Sequence, residues 1–162
     1  MTDRWLTASQ QRSWRAFLLG TTLLMERLDR DLREKHGLSL PEYEILVRLS
    51  ESPDRELRMA ELADSVKNSR SRITHTVKRL EDAGFVVRRA CESDGRGVIA
   101  ALTEPGFARL ATAAPDHVDT VRQALIDVVD DEELAVIGKT FGQVAERLET
   151  GGPAPLLCAD GD

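Results

Sequence analysis

Aromatic residues are scarce in this 162-residue chain, at 4% of the total, and glycine and proline together number only 17. That is too few turns for a sandwich of short strands, which needs one about every ten residues. Cysteine is nearly absent. Cys91 and Cys158 stand far apart, with no CxxC spacing and no histidine at ligand distance, which excludes a disulfide framework and argues against structural zinc. No apolar run approaches the ~20 residues of a membrane span. The nearest, Ala16 to Met25, is followed at once by Glu26 and Arg27 without a small-residue cleavage site, so it reads as a helix face rather than a signal peptide. What remains is an ordinary composition, 41% hydrophobic and 31% charged, in a chain long enough to bury roughly 70% of its unfolded surface. These features point to a mainly helical protein, expected in the cytoplasm.

An excess of positive charge is also lacking. The net charge is −6, which argues against a generally basic nucleic-acid coat protein. The average conceals a local reversal. Between Val66 and Arg96 stand eight basic residues (Lys67, Arg70, Arg72, Lys78, Arg79, Arg88, Arg89, Arg96) against four acids, a local charge of +4 on a remainder of −10. A basic island on an acidic chain is the footprint of polyanion binding confined to one face.

Capping signals mark out the helices. Thr7 with Gln10 forms a capping box that opens a long helix. Its apolar stripe of Trp14, Phe17/Leu18, Thr21, Leu24/Met25, Leu28 and Leu32 runs to about Lys35, and Gly37 ends it. Such a helix spans about 40 Å. Ser39 with Glu42 opens a second helix, with Tyr43, Leu46 and Leu49/Ser50 inward, which Ser52-Pro53-Asp54 closes. A short extended piece, Leu57-Arg58-Met59, precedes a brief helix from Ala60 to about Val66. Asn68-Ser69 then caps a helix to Ala83 with Ile73, Val77 and Leu80 inward, and Gly84 supplies its left-handed end. The period changes to two over Phe85–Ala90 and Val98–Leu102, a β-hairpin with Glu92-Ser93-Asp94-Gly95 at its tip. Thr103 caps the next helix, expected to kink at Pro115 and continue to about Val129. Asp130 with Glu133 opens the last, with Leu134, Ile137, Phe141, Val144 and Leu148 in a 3-4-3-4 spacing. Residues 151–162 read as a disordered tail.

Two short helices followed by a basic hairpin form a winged helix-turn-helix. The second of them buries Ile73, Val77 and Leu80, so its other face shows Ser69, Arg70, Ser71, Arg72, Thr74, His75, Lys78 and Arg79. Hydroxyls and guanidinium groups at a helix start suit the DNA major groove, where the helix N-terminus meets phosphate and Arg or His reaches base edges.

At this point the residues resemble the MarR family of bacterial winged-helix regulators. Leu40-Pro41-Glu42-Tyr43 with Ile45-Leu46 looks like its second helix, and Met59-Ala60-Glu61-Leu62-Ala63 like its third. Ser69 to Leu80 with Glu81, Gly84 and Phe85-Val86 looks like its recognition helix and exit. Asp94-Gly95-Arg96 followed by Leu102-Thr103 and Gly106 resembles the wing signature D-x-R…L-T-x-x-G, the most specific of these motifs. The resemblance implies that Arg96 enters the minor groove, oriented by Asp94, where a narrow A·T-rich groove attracts a guanidinium. His75 departs from the pattern, since many members carry Arg there.

The resemblance also accounts for the terminal helices. The implied fold is mainly α with a small β-hairpin wing, flanked by dimerisation helices: residues 1–36 first, the DNA-binding domain at 37–103, further dimerisation helices at 104–150, and the tail. The implied function is a homodimeric repressor on a palindromic operator, relieved by a small aromatic or phenolic ligand. Trp14, Arg15, His36 and Tyr43 fall in the segments that line the family's ligand crevice, though each also suits plain packing or surface. Peroxide-sensing members use a cysteine at the start of the chain, absent here; Cys91, beside Arg88 and Arg89, reads as inert. No cofactor or metal is implied. A hydrolase reading fails, with no G-x-S-x-G and with His36, His75 and His117 on separate helices or their ends. The remaining alternative is a helical dimeric ligand-sensing or protein-interaction module without DNA binding.

Overall fold

The computed structural model describes residues 5–67, 69–91 and 94–149, and only the backbone of Asp94, Gly95 and Arg96. The elements run in the order α1 (Ala8–His36), α2 (Leu40–Ser50), β1 (Glu56–Arg58), α3 (Met59–Ser65), α4 (Arg70–Asp82), β2 (Val86–Cys91), β3 (Asp94–Leu102), α5 (Glu104–Val121) and α6 (Asp131–Leu148). The described residues form two compact units divided between Val121 and Arg122. No described helix is long and apolar enough to cross a membrane. The expected tail, residues 151–162, lies outside the described residues, as does Cys158.

Local capping sets the helix starts. The Thr7/Gln10, Ser39/Glu42 and Asp130/Glu133 boxes are all closed in both directions, each satisfying two otherwise orphaned groups. Gly37 ends α1 at φ 67°. Gly84 follows α4 at φ 77°, letting the chain turn from the helix into β2.

In the first unit the core gathers Leu32, Leu38, Ile45, Leu46, Leu49, Leu62, Ile73, Val77, Leu80 and Val86, each at most 2% exposed. Each such side chain contributes roughly 1.5–3 kcal/mol of burial. The core draws on only the last turns of α1, where Leu28 and Leu32 are the buried residues; Trp14, Leu18, Leu19, Leu23 and Met25 are exposed. The sheet is antiparallel in the order β1-β3-β2. The expected hairpin is therefore the larger part of a three-stranded sheet, because Glu56, Leu57 and Arg58 pair with Ala101, Ala100 and Ile99. Strand β3 starts at Asp94, inside the expected tip, rather than at the expected Val98, with Asp94 opposite Cys91 beyond an irregularity at Ala90/Cys91.

Helix α5 runs through Pro115 to Val121, short of the expected Val129, and a π-helical turn follows at Arg122–Ile126. Its first turn is fastened to the wing. Thr103 donates its N–H to the Phe85 carbonyl (3.0 Å) and its hydroxyl to the Gly84 carbonyl (2.7 Å), while Gly106 N–H donates back to Thr103 Oγ1 (3.1 Å). Gly106 lies so close that a Cβ there would stand 2.1 Å from the Phe85 oxygen. The second unit is simpler. Helix α6 has no buried residue, although Val136, Phe141, Val144 and Leu148 are among its side chains and each is more than 40% exposed.

Candidate nucleic-acid interface

The site is built around α4. Lys67, at φ 48°, helps turn the short connection from α3. Ser69 caps α4 by accepting the Arg72 N–H (3.4 Å), with its hydroxyl 3.3 Å from that of Ser71. Ile73, Val77 and Leu80 press into the core at 2%, 0% and 1% exposure. With that face fixed inward, Ser69, Arg70, Ser71, Arg72, Thr74, His75, Lys78 and Arg79 are all exposed, on one continuous surface of the helix. Thr74 donates its hydroxyl to the Arg70 carbonyl (2.8 Å). The structure therefore gathers all eight α4 candidates. The other two, Asp94 and Arg96, open β3; their side chains lie outside the described residues.

The electrostatics of this surface differ from a simple count of charges. Four of its cations face carboxylates of the same chain. Arg79 Nε lies 3.0 Å from Glu42 Oε1, and Arg88 Nη2 lies 2.6 Å from Glu81 Oε2. Arg89 Nη2 lies 2.5 Å from Glu56 Oε2, and Lys78 Nζ 3.0 Å from Asp82 Oδ1. Hydrogen bonding from Arg88 holds the Glu81 carboxyl below its usual range. Among the described residues no ion pair engages Arg70 or Arg72. The pairing of Lys78 is exposed on both sides and within one helix, the kind that contributes little and that a phosphate can replace.

One cation outside the basic island belongs beside this surface. Arg58, at the end of β1, lines a cleft of about 340 Å³ together with Arg70, Thr74 and Val98, between the starts of α3 and α4 and strand β3. The sequence marks Leu57-Arg58-Met59 only as a short extended piece outside the basic island, so Arg58 is not among its candidates. The signal that finds it is the pairing of that extended piece with the wing as β1.

The four ligand candidates are not brought together within one chain. His36 Nε2 lies 2.7 Å from Asp116 Oδ2, and the His36 side chain is 7% exposed. Tyr43, also 7% exposed, meets the His117 ring at 4.4 Å between centroids. These two thus contact successive residues of α5. Between α1 and α5 here, the gap flanked by Leu28, Lys35 and Thr120 has no volume that a water molecule could occupy. Trp14 and Arg15 are exposed and stand roughly 30 Å farther along α1, with Trp14 stacked on Phe17 at 5.5 Å. Burial pushes the His117 imidazole below the ordinary histidine value, and its Nδ1 is buried without a hydrogen-bond partner. Cys91 is buried at 6% exposure in the sheet. Among the described residues no group of three His, Cys, Asp or Glu could hold a metal ion.

Comparison with known proteins agrees with this geometry. The MarR family model matches residues 38–98. The chain is 34% identical over 112 residues to the HTH-type transcriptional repressor YetL of Bacillus subtilis, covering 69% of this chain and 66% of that protein. It is 31% identical over 110 residues to the HTH-type transcriptional regulator MhqR of the same organism, covering 68% and 74%. Among solved structures, Sco3205 of Streptomyces coelicolor, a MarR family transcriptional regulator in complex with DNA, superposes at a TM-score of 0.90. Its sequence is 44% identical, and the match covers 96% of this chain and 98% of that one.

Proposed function

This chain belongs to the MarR family of transcriptional regulators, and on that premise we propose that it acts as a homodimeric repressor, with α4 of each copy in successive major grooves of a palindromic operator. The observation that carries the reading is α4 itself. Its buried apolar face leaves one outer surface of hydroxyls, Arg70, Arg72 and His75, and the sheet that would supply the minor-groove contact stands beside it. The wing arginine in this reading is Arg96, oriented by Asp94. The second copy would cover the exposed apolar residues of α1 and those of α6.

The proposed repressor is released by a small aromatic or phenolic anion. His36 and Tyr43 supply one end of such a site. Trp14 and Arg15 join it only if the α1 helix of the second copy brings them there, since α1 separates them from His36 in their own chain. The deciding experiment is a fluorescence-anisotropy titration at fixed salt against the chain's own upstream DNA and against a scrambled duplex. Affinity at least a hundredfold greater for the upstream DNA supports the reading; equal affinities favour an interaction module without DNA specificity.

A further inference from the structure

Two ion pairs on the basic island tie α4 to the elements beside it. Glu42, at the third position of α2, is 4% exposed. Its Oε2 accepts the N–H and the hydroxyl of Ser39, each at 2.7 Å, which leaves Oε1 for Arg79 Nε at 3.0 Å. At the last turn of α4, Glu81 accepts from Arg88 three times, through Nη2 (2.6 Å), Nε (3.0 Å) and the backbone N–H (3.3 Å). One link therefore runs from α4 to α2 and the other from α4 to β2. The apolar contacts of Ile73, Val77 and Leu80 bury one side of the helix but are non-directional, so they tolerate a small rotation about its axis. Base-edge contacts do not, since a recognition constellation works only when held to about 0.5 Å. The ion pair from Arg79 to the buried Glu42 and the three hydrogen bonds from Arg88 to Glu81 supply the missing angular restraint.

We propose that Glu42 and Glu81, acting through Arg79 and Arg88, are positioning residues that fix the rotation of α4 between α2 and the wing. The two arginines thus serve sequence discrimination through their contacts within the protein and make no essential phosphate contact. The proposal rests on the reading of α4 as the DNA-contacting helix.

The test uses the full chain and an operator selected from random duplex DNA, with a scrambled duplex as reference. Glu42→Gln keeps the acceptor that the capping box needs and removes the charge that holds Arg79. Glu42→Gln, Arg79→Gln and their double variant, and the matching Glu81→Gln/Arg88→Gln set, are titrated across a range of salt, with melting curves alongside. Each single variant should lose tenfold or more in operator affinity while its affinity for scrambled DNA stays within twofold and its salt slope within one unit. Each double variant should be no worse than its worse single, and Arg79→Lys should recover part of the discrimination. Equal losses on both duplexes with a slope flattened by about two units per dimer would identify phosphate contacts and overturn the proposal. A lowered melting temperature with operator affinity unchanged would reduce the links to plain braces and overturn it as well. If the wild-type chain itself fails to discriminate operator from scrambled DNA, the reading of α4 falls first and takes this proposal with it.

Discussion

Adding one methyl group at Gly106 tests how tightly α5 must approach the wing. The new Cβ would stand 2.1 Å from the Phe85 carbonyl oxygen and 2.8 Å from Leu102 Cδ1. Leu102 can change rotamer. The carbonyl has no such freedom, because it leads into β2 and already accepts the Thr103 N–H at 3.0 Å. Normal carbon–oxygen contact is about 3.3 Å, so the start of α5 has to withdraw by about 1 Å. That movement loosens the Thr103 bond and the Gly106 cap on Thr103 Oγ1, each contributing about 1 kcal/mol, and the strain of overpacking adds about 1–3 kcal/mol. Against this, alanine is favoured over glycine within a helix by up to about 1 kcal/mol. The overlap wins. Gly106→Ala should destabilise the protein by about 2–4 kcal/mol, which for a chain of this length lowers the melting temperature by about 5–15 °C. Gly20→Ala is the matched control, since a Cβ there meets nothing within 4 Å of its own chain. It should melt at or slightly above the wild-type temperature when both are followed by far-ultraviolet circular dichroism. A Gly106→Ala variant melting within a degree of wild type would refute the reasoning.

Other outcomes follow from the same geometry. With Arg79, Arg88 and Arg89 engaged inside the chain, Arg70, Arg72 and Lys78 leave about six phosphate contacts per dimer, so log K against log[salt] should fall with a slope of about −5. A slope near zero, measured by anisotropy, would mean the island is a solvated face. Ile137→Asp places a charge on the apolar face of α6 that a second copy would cover, at a cost of several kcal/mol, and should give monomers or aggregates on sedimentation; a wild-type chain already monomeric at micromolar concentration would refute the dimer. Because burial holds the His117 imidazole below its unfolded value of about 6.5, its contribution to stability is complete above that pH and is lost as pH falls below it. Urea titrations should therefore show wild type losing more stability than His117→Phe between pH 7.5 and 5.5, and parallel losses would refute the assignment.

Features encoded within a few residues were legible in the sequence. The capping boxes at Thr7, Ser39 and Asp130 place three helix starts because both halves of each signal lie within one turn. The inward triad of Ile73, Val77 and Leu80 identifies the outer face of α4 for the same reason. What escaped was set by partners distant in the chain. Strand β1 is three residues long and acquires its identity from Ala101, Ala100 and Ile99, more than forty residues away. The partners of Arg79 and Arg89, Glu42 and Glu56, lie 37 and 33 positions earlier, outside the Val66–Arg96 stretch that makes up the island. A sum of formal charges carries no information about which of them already face each other. The early end of α5 was missed too, because nothing in Arg122–Ile126 departs from helix-forming residues.

Helix α6 carries a thermodynamic consequence of its own. It has a closed capping box but no buried residue among its eighteen, and most helical stability in proteins comes from packing an apolar face rather than from local propensity. If a second copy supplies the missing cover, the order of α6 becomes second order in protein. Each tenfold dilution then removes about 1.4 kcal/mol from the folded assembly, and the melting temperature drifts with concentration. In a cell that keeps few copies, the fraction competent to hold an operator would depend on how many subunits are made, so that synthesis rate itself becomes an input to the switch.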